Sequence, residues 1–371
     1  MLLLIPGPVT THPAVREAAC ADFAPWDLEF RDIVAGLRAS VLRIAGGRAG
    51  EHVALPLPGC GHFAMEAAVR AFVPPGGRFL LPLTGQYADR IRQLAVSAGR
   101  EPVVMAVPHG ERVDPLALRA ALDADGTLSH AVLVYSETST GVVHDVPALA
   151  RAAGEAGRRV VVDAVSAFGA MPLDMGALPS VDSVAFTSNK CLEGLPGLSF
   201  TVARVDALER AEGRAGSWSL DLHDVWRTFG RAGEGTSRFT PPAQAMVALA
   251  RAVELFDAEG GQPARLRRYT ANMRALCDGV GRFGLRPMLP PGRQGPIVVN
   301  IHAPDDPAWH LQAFVDALKA RGVLISNFHN TAAPSFRVGC IGAVSPEEMA
   351  GAADAMGAAL ADIGVRARQA A

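Results

Sequence analysis

Lys190 sits in a turn of Ser, Asn, Cys, Gly and Pro within SVAFTSNKCLEGLPGLSFTVA, residues 183–203, with a strand-like stretch on either side. Alone it reads as one more solvated lysine, the common fate of that side chain. Other positions change its company. Asp163 closes the apolar run VVVDAVSAFG one strand earlier. An acid there must be paired or hydrogen-bonded, either to a partner group or to the N–H groups of the next segment. Gly59–Gly61 form a turn that opens straight into the helical pattern GHFAMEAAVRAFV. This is either an ordinary tight turn or an anion seat, because the first helical N–H groups and the positive end of the dipole are free there. Tyr87, in TGQYADR, follows the apolar stretch RFLLPL and offers a flat face; SETSTG, residues 136–141, follows HAVLVY and offers hydroxyls.

One cofactor uses all of these groups together, pyridoxal phosphate. Its aldehyde takes an amine, its ring nitrogen a carboxylate, its phosphate N–H and hydroxyl donors, and its ring a flat surface. Lys190, Asp163, the Gly59–His62 turn with SETSTG, and Tyr87 answer these needs in turn. At about 3 Å and an effective dielectric near 20, a carboxylate beside a pyridinium is worth roughly 5 kcal/mol. That keeps the ring nitrogen protonated and the ring able to draw in electrons, so proton removal from an amino substrate becomes feasible near neutral pH.

The elements that must hold these groups follow from hydrophobic pattern. Near-continuous apolar runs RFLLPL, PVVMAV, HAVLVYS, RRVVVDAV, VDSVAF and LSFTVA alternate with the helical patterns GHFAMEAAVRAFV, YADRIRQLAVSAG and VPALARAAGEAG. Such strands, separated by helices, predict a mainly parallel sheet covered on both faces. In a sheet of this kind ligands lie beyond the carboxyl ends of the strands, which is where the residues above fall. After about residue 245 the order becomes helix AQAMVALARAVELFDAEGG, strand IVVNIHA, helix AWHLQAFVDALKARG, strands VLISNF and SFRVGC, and a last helix opened by SPEEM. Ser345, Pro346 and Glu348 there predict a capping box. The expected architecture is α/β: a large domain over 14–245 with a mainly parallel sheet, and a smaller α+β domain over 246–371 joined by the N-terminal segment 1–13. The Ala-rich tail beyond about residue 365 is expected to fray.

Bulk properties narrow the function. At 371 residues the chain exceeds what one core usually holds. With 49% hydrophobic and 19% charged residues it has the balance of a globular enzyme. The formal net charge of −2 carries no basic footprint for nucleic acid or an anionic membrane, so the expected partner is a small molecule. Five scattered cysteines without a CxxC pair argue against a disulfide framework or a zinc site, and no metal is expected. MLLLIPGPVTTHP lacks the basic start and apolar length of a secretory signal. A cytoplasmic location is the expectation.

The combination PGPVTTHP, GCGHFAMEAA, GQYADR, SETSTG, VVVDAVSAFG, SNKCLEGLPG, SRFTPPAQ and FRVGCIG resembles the class V aminotransferases of fold type I, in family order and across almost the whole chain. Within them SETSTG, SNKCLEGLPG, SWSLDLHDVWR and WDLEF are similar to the branch that moves the amino group of 2-aminoethylphosphonate to pyruvate, giving phosphonoacetaldehyde and alanine. Alanine–glyoxylate and serine–glyoxylate aminotransferases are near relatives and the alternative reading. The resemblance implies that Lys190 binds the cofactor covalently, Asp163 pairs with its ring nitrogen and Tyr87 stacks on the ring. Thr138 or Ser139 would support the ring hydroxyl, with Asn189 nearby. Gly61 and His62 would donate backbone N–H groups to the phosphate, and Thr240 would reach it from the neighbouring subunit of a homodimer. Arg337 would grip the substrate's acid group, because a planar guanidinium can bond two oxygens of a carboxylate or phosphonate. Thr11, Arg238 and His329 are further candidates for the substrate's second charge.

Overall fold

The computed structural model describes residues 1–329 and 331–365; Asn330 and the tail from residue 366 lie outside them. The chain begins with strand β1 (Leu2–Leu3), then helices α1 (Pro13–Ala18) and α2 (Leu28–Ile44). There follow β2 (His52–Pro58), α3 (Gly61–Phe72), β3 (Arg78–Leu83), α4 (Gln86–Ser97), β4 (Glu101–Ala106), α5 (Pro115–Ala124) and β5 (Leu128–Val134). The short hairpin β6 (Ser136–Glu137) and β7 (Val142–Val143) leads to α6 (Val146–Glu155), β8 (Arg159–Asp163), β9 (Val181–Thr187) and β10 (Leu198–Arg204). Helices α7 (Val205–Glu209), α8 (Leu222–Ala232), α9 (Ala243–Glu259) and α10 (Gly261–Gly281) come next. The chain closes with β11 (Val298–His302), α11 (Leu311–Ala320), β12 (Val323–Leu324), β13 (Ser335–Gly339) and α12 (Pro346–Asp362).

Seven strands form the main sheet in the order β2-β10-β9-β8-β5-β3-β4. Neighbours from β9 to β4 run parallel, whereas β10 is antiparallel to both β2 and β9. A turn containing Lys190 returns the chain directly into β10, which is why LSFTVA breaks the parallel pattern. The central strands are apolar on both sides because helices cover both faces, and β9 is buried at every position. One core cluster gathers Val160, Val162, Val184 and Phe186 with residues of α2, α6 and α9. A second, on the opposite face, joins Val161 and Ala185 to α3, α4 and α8.

A third cluster belongs to the small sheet β11-β13 and helices α10, α11 and α12. The N-terminal segment is tied into it through β1, which pairs parallel with β12. Ser345 and Glu348 make the capping box at the start of α12. Residue 245 lies inside α9, whose Leu249, Val253 and Phe256 pack in the first cluster, while Leu276 and Val280 of α10 pack in the third. The two helices meet at Gly260, whose φ of +107° lies in the region that favours glycine. Among the described residues no helix is long and apolar enough to cross a membrane, and no three His, Cys, Asp or Glu side chains gather as a metal site.

Candidate active site

Parallel pairing fixes the main contact of the site. β8 and β9 are hydrogen-bonded neighbours, with Asp163 opposite Ala185. Asp163 is the last residue of β8, and Lys190 lies three residues past the end of β9. Both side chains line one cleft of about 200 Å³, together with Gly7, Gly61, His62, Tyr87, Arg90, Val165 and Asn189. This is the carboxyl edge of the sheet, where open α/β folds bind ligands.

Lys190 is buried, and its Nζ donates to the Pro6 carbonyl at 2.7 Å. Burial pushes its pKa below the ordinary lysine value, opposed by the nearby Tyr87 phenol. Asp163 is also buried, and burial raises its carboxyl to about 6 against the hydrogen bond that its Oδ1 accepts from the Val165 amide at 2.9 Å. Burial disfavours the charged form of both the amine and the acid, so both are poised to gain from a ligand that supplies an opposite partner.

Helix α3 begins at Gly61, and its N-cap, Cys60, places no side-chain acceptor on the first turn. The amides of Gly61 and His62 therefore open onto the cleft at the positive end of the helix. A Cβ on Gly61 would stand 2.6 Å from Val165 Cγ2, so glycine is required for this close approach. Burial, then the Arg90 cation, lower the His62 pKa and so favour the neutral ring.

Tyr87 stands on the first turn of α4, with the Arg90 guanidinium 5.1 Å from its ring. Burial raises the phenol, but Lys190, a contact with Thr138, and Arg337 outweigh it and leave the pKa below its ordinary value. The helix is seated by Glu137, a fully buried acid whose carboxylate accepts from the amides of Tyr87 at 3.4 Å and Ala88 at 3.3 Å. Ser139 donates its hydroxyl to the same carboxylate and accepts from the Gln86 amide at 3.1 Å. The SETSTG segment thus holds the start of the tyrosine helix, and the Ser139 hydroxyl is engaged there. Thr138 is buried beside the phenol, and Asn189 lines the cleft with its Oδ1 accepting from Thr187 at 2.9 Å.

Arg337 projects from β13 and is buried, its Nε donating to Ser326 Oγ at 3.2 Å and its guanidinium 4.6 Å from the Phe328 ring. Burial lowers its pKa, and the Tyr87 phenol and Glu137 counter that. Tyr87 therefore connects the arginine of the small sheet to the lysine of the large one. The other candidates stand apart. Thr11 is buried but bound to Arg16, whose Nη1 donates to its hydroxyl at 3.1 Å, and it does not line the cleft. Arg238 bonds Asp224 at 3.0 Å and the Ser219 carbonyl at 2.8 Å. His329 is exposed and lies by the Thr331 carbonyl at 3.1 Å. Thr240 is exposed ahead of α9 and does not line its own chain's cleft.

Glu137, Arg90 and the Pro6 carbonyl are the contributors that motif reading passes over. Glu137 carried a signal, as the one acid among the hydroxyls of SETSTG. A backbone carbonyl brought in from residue 6 carries none. The buried Cys191 and Cys340 thiols are raised by burial, Cys191 to about 12, so neither is a ready nucleophile and both pack as apolar groups.

The arrangement fits pyridoxal phosphate on its own terms: a buried amine, a carboxylate across from it, a bare helix start reached over a glycine, and an aromatic ring in one cleft. The family model Aminotransferase class-V matches residues 26–343. A 2-aminoethylphosphonate–pyruvate transaminase of Burkholderia lata is 41% identical over 98% of this chain and 96% of its own length. One from Paraburkholderia xenovorans is 39% identical over 99% and 98%. Among solved structures, an aspartate aminotransferase from Thermus thermophilus superposes with a TM-score of 0.85 at 28% identity, covering 98% of this chain and 100% of that one.

Proposed function

Because this chain belongs to the class V aminotransferases, which work with pyridoxal phosphate, we infer that it transfers the amino group of 2-aminoethylphosphonate to pyruvate, giving phosphonoacetaldehyde and alanine. The observation that carries the chemistry is the convergence of Lys190 and Asp163 from adjacent parallel strands on one cleft. The choice of donor is supported by full-length relatives of about 40% identity that carry that activity in their names.

The bound cofactor supplies an electron sink for the substrate's carbon. This chain's residues do the rest. The amides of Gly61 and His62 hold an anion at the start of α3, and Tyr87 gives the ring a face. Asp163 would keep a proton on the ring nitrogen, and Asn189 with Thr138 or Ser139 would serve the ring's polar edge. Lys190 would hold the cofactor covalently and would serve as the base that moves the substrate's proton; its burial lowers the pKa from the ordinary lysine value, which favours the neutral, proton-accepting amine. Arg337 would orient the donor's acid group from beside Tyr87. The protein works in the cytoplasm as a homodimer in which Thr240, exposed on its own chain, completes the neighbour's anion seat. The exposed Trp218, in edge contact with Phe239 just before Thr240, supports burial of this segment by a second copy.

A single-turnover assay tests the reading, following the visible absorption of the bound cofactor with 2-aminoethylphosphonate, alanine and serine in turn. Rapid loss with 2-aminoethylphosphonate, restored by pyruvate, is expected. Turnover of serine with glyoxylate and inertness to the phosphonate would reverse the donor assignment.

A further inference from the structure

Glu193 is the one non-glycine residue with a left-handed backbone among the described residues, at φ +59°. Such a conformation is unfavourable for a side chain with a Cβ and persists only where its surroundings impose it. What imposes it is a closed circuit of bonds around the lysine turn. The Glu193 amide donates to the Lys190 carbonyl at 2.9 Å. Its carboxylate, also buried, accepts from the Tyr269 hydroxyl at 2.7 Å and from Arg268 Nη2 at 2.8 Å. The same tyrosine oxygen accepts from the Gly342 amide at 3.3 Å, and Arg268 Nη1 donates to the Gly342 carbonyl at 2.5 Å.

Gly342 follows the strand that bears Arg337, and the neighbouring Ala343 amide donates to the Thr10 carbonyl at 2.8 Å. Thr10 lies four residues beyond Pro6, whose carbonyl accepts from Lys190 Nζ. The path from Lys190 through Glu193, Tyr269, Gly342 and the N-terminal segment thus returns to the Lys190 amine itself.

We propose that Glu193 is a positioning residue that locks the Lys190 turn to the Arg337 strand, so that base and substrate anchor keep one mutual geometry. It touches no reacting atom. Its carboxylate ties the turn to Tyr269 and Arg268 while the N-terminal segment holds the amine through the Pro6 carbonyl. The inference rests on the aminotransferase reading of the cleft and not on which donor is used.

The test compares the cofactor-loaded E193Q, E193G and Y269F variants with wild type. E193G frees the backbone of strain while removing the carboxylate, which separates the anchor from the conformation. Three quantities are read: thermal midpoint, the pH at which the bound cofactor's visible absorption titrates, and the single-turnover rate with alanine and with 2-aminoethylphosphonate. Slowing of about 10- to 100-fold is expected for E193Q and E193G well below their unfolding temperatures. A shift of about one pH unit in the titration should accompany it, with Y269F moving in the same direction by less. If the variants lose thermal stability while titration and turnover stay within about twofold of wild type, the residue is structural only and the proposal is wrong. Should E193Q fail to fold, E193G and Y269F decide between the same two results. A wild type that turns over alanine but not the phosphonate overturns the donor assignment alone, and the variants are then compared with alanine.

Discussion

At the scale of single residues, Asp163 shows a site built for a ligand at the chain's own expense. Its carboxyl is raised by burial from 3.8 to about 6, so the folded, cofactor-free protein binds that proton more tightly than the unfolded chain does. The stability this group contributes is fully present below pH 3.8 and is lost as pH rises through about 6. The loss amounts to about 3 kcal/mol on the scale of the shift. Asp163→Asn keeps an oxygen for the Val165 amide and never ionises. The cofactor-free variant should therefore unfold at higher denaturant than wild type at pH 8, with the gap closing toward pH 4, while its affinity for the cofactor falls. Equal or lower stability at pH 8 would show that the carboxylate is not destabilised by burial.

At the scale of elements, each functional group was legible where it followed a strand with an unambiguous apolar run. RFLLPL, VDSVAF and VVVD could be read because strands buried on both faces leave no alternation to confuse. Helices α2 and α10 are absent from the sequence reading. Each carries one buried arginine, Arg38 and Arg265, ion-paired with Glu234 and Glu259, and this interrupts the apolar face. Residue 245 falls within α9, and the chain passes from the first core cluster to the third across Gly260, between α9 and α10. The start of α3 gives a sharper test. Gly61→Ala places a methyl against Val165 and should cost about 1–3 kcal/mol as overpacking. Val165→Ala in the same chain should return most of it, as measured by denaturant midpoints. No recovery in the double variant would mean that the glycine serves backbone conformation and not the approach to Val165.

At the scale of the whole molecule, the lysine and the arginine come from separate cores and meet through Tyr87, the N-terminal segment and the Glu193 circuit. Strand order told that Asp163 and Lys190 share an edge; nothing local told that residues 6 and 7 close over them. Thr240 makes the largest claim at this scale, since it sits outside its own chain's cleft. Mixing Lys190→Ala and Thr240→Ala subunits tests it. If Thr240 acts across a two-fold interface, each mixed dimer contains one site with both residues intact, and about half of wild-type activity per mixed dimer is expected. Activity no greater than that of the separate variants would place Thr240 outside the neighbour's site.

The central claim is that the Lys190 amine, facing Asp163 across one cleft, is the group that holds the cofactor. Borohydride reduction of the cofactor-loaded protein, followed by peptide mass mapping, measures this most directly. The account predicts a single adduct on Lys190, absent from Lys190→Ala. An adduct on any other lysine, or none at all in protein that retains full transamination activity, would contradict it.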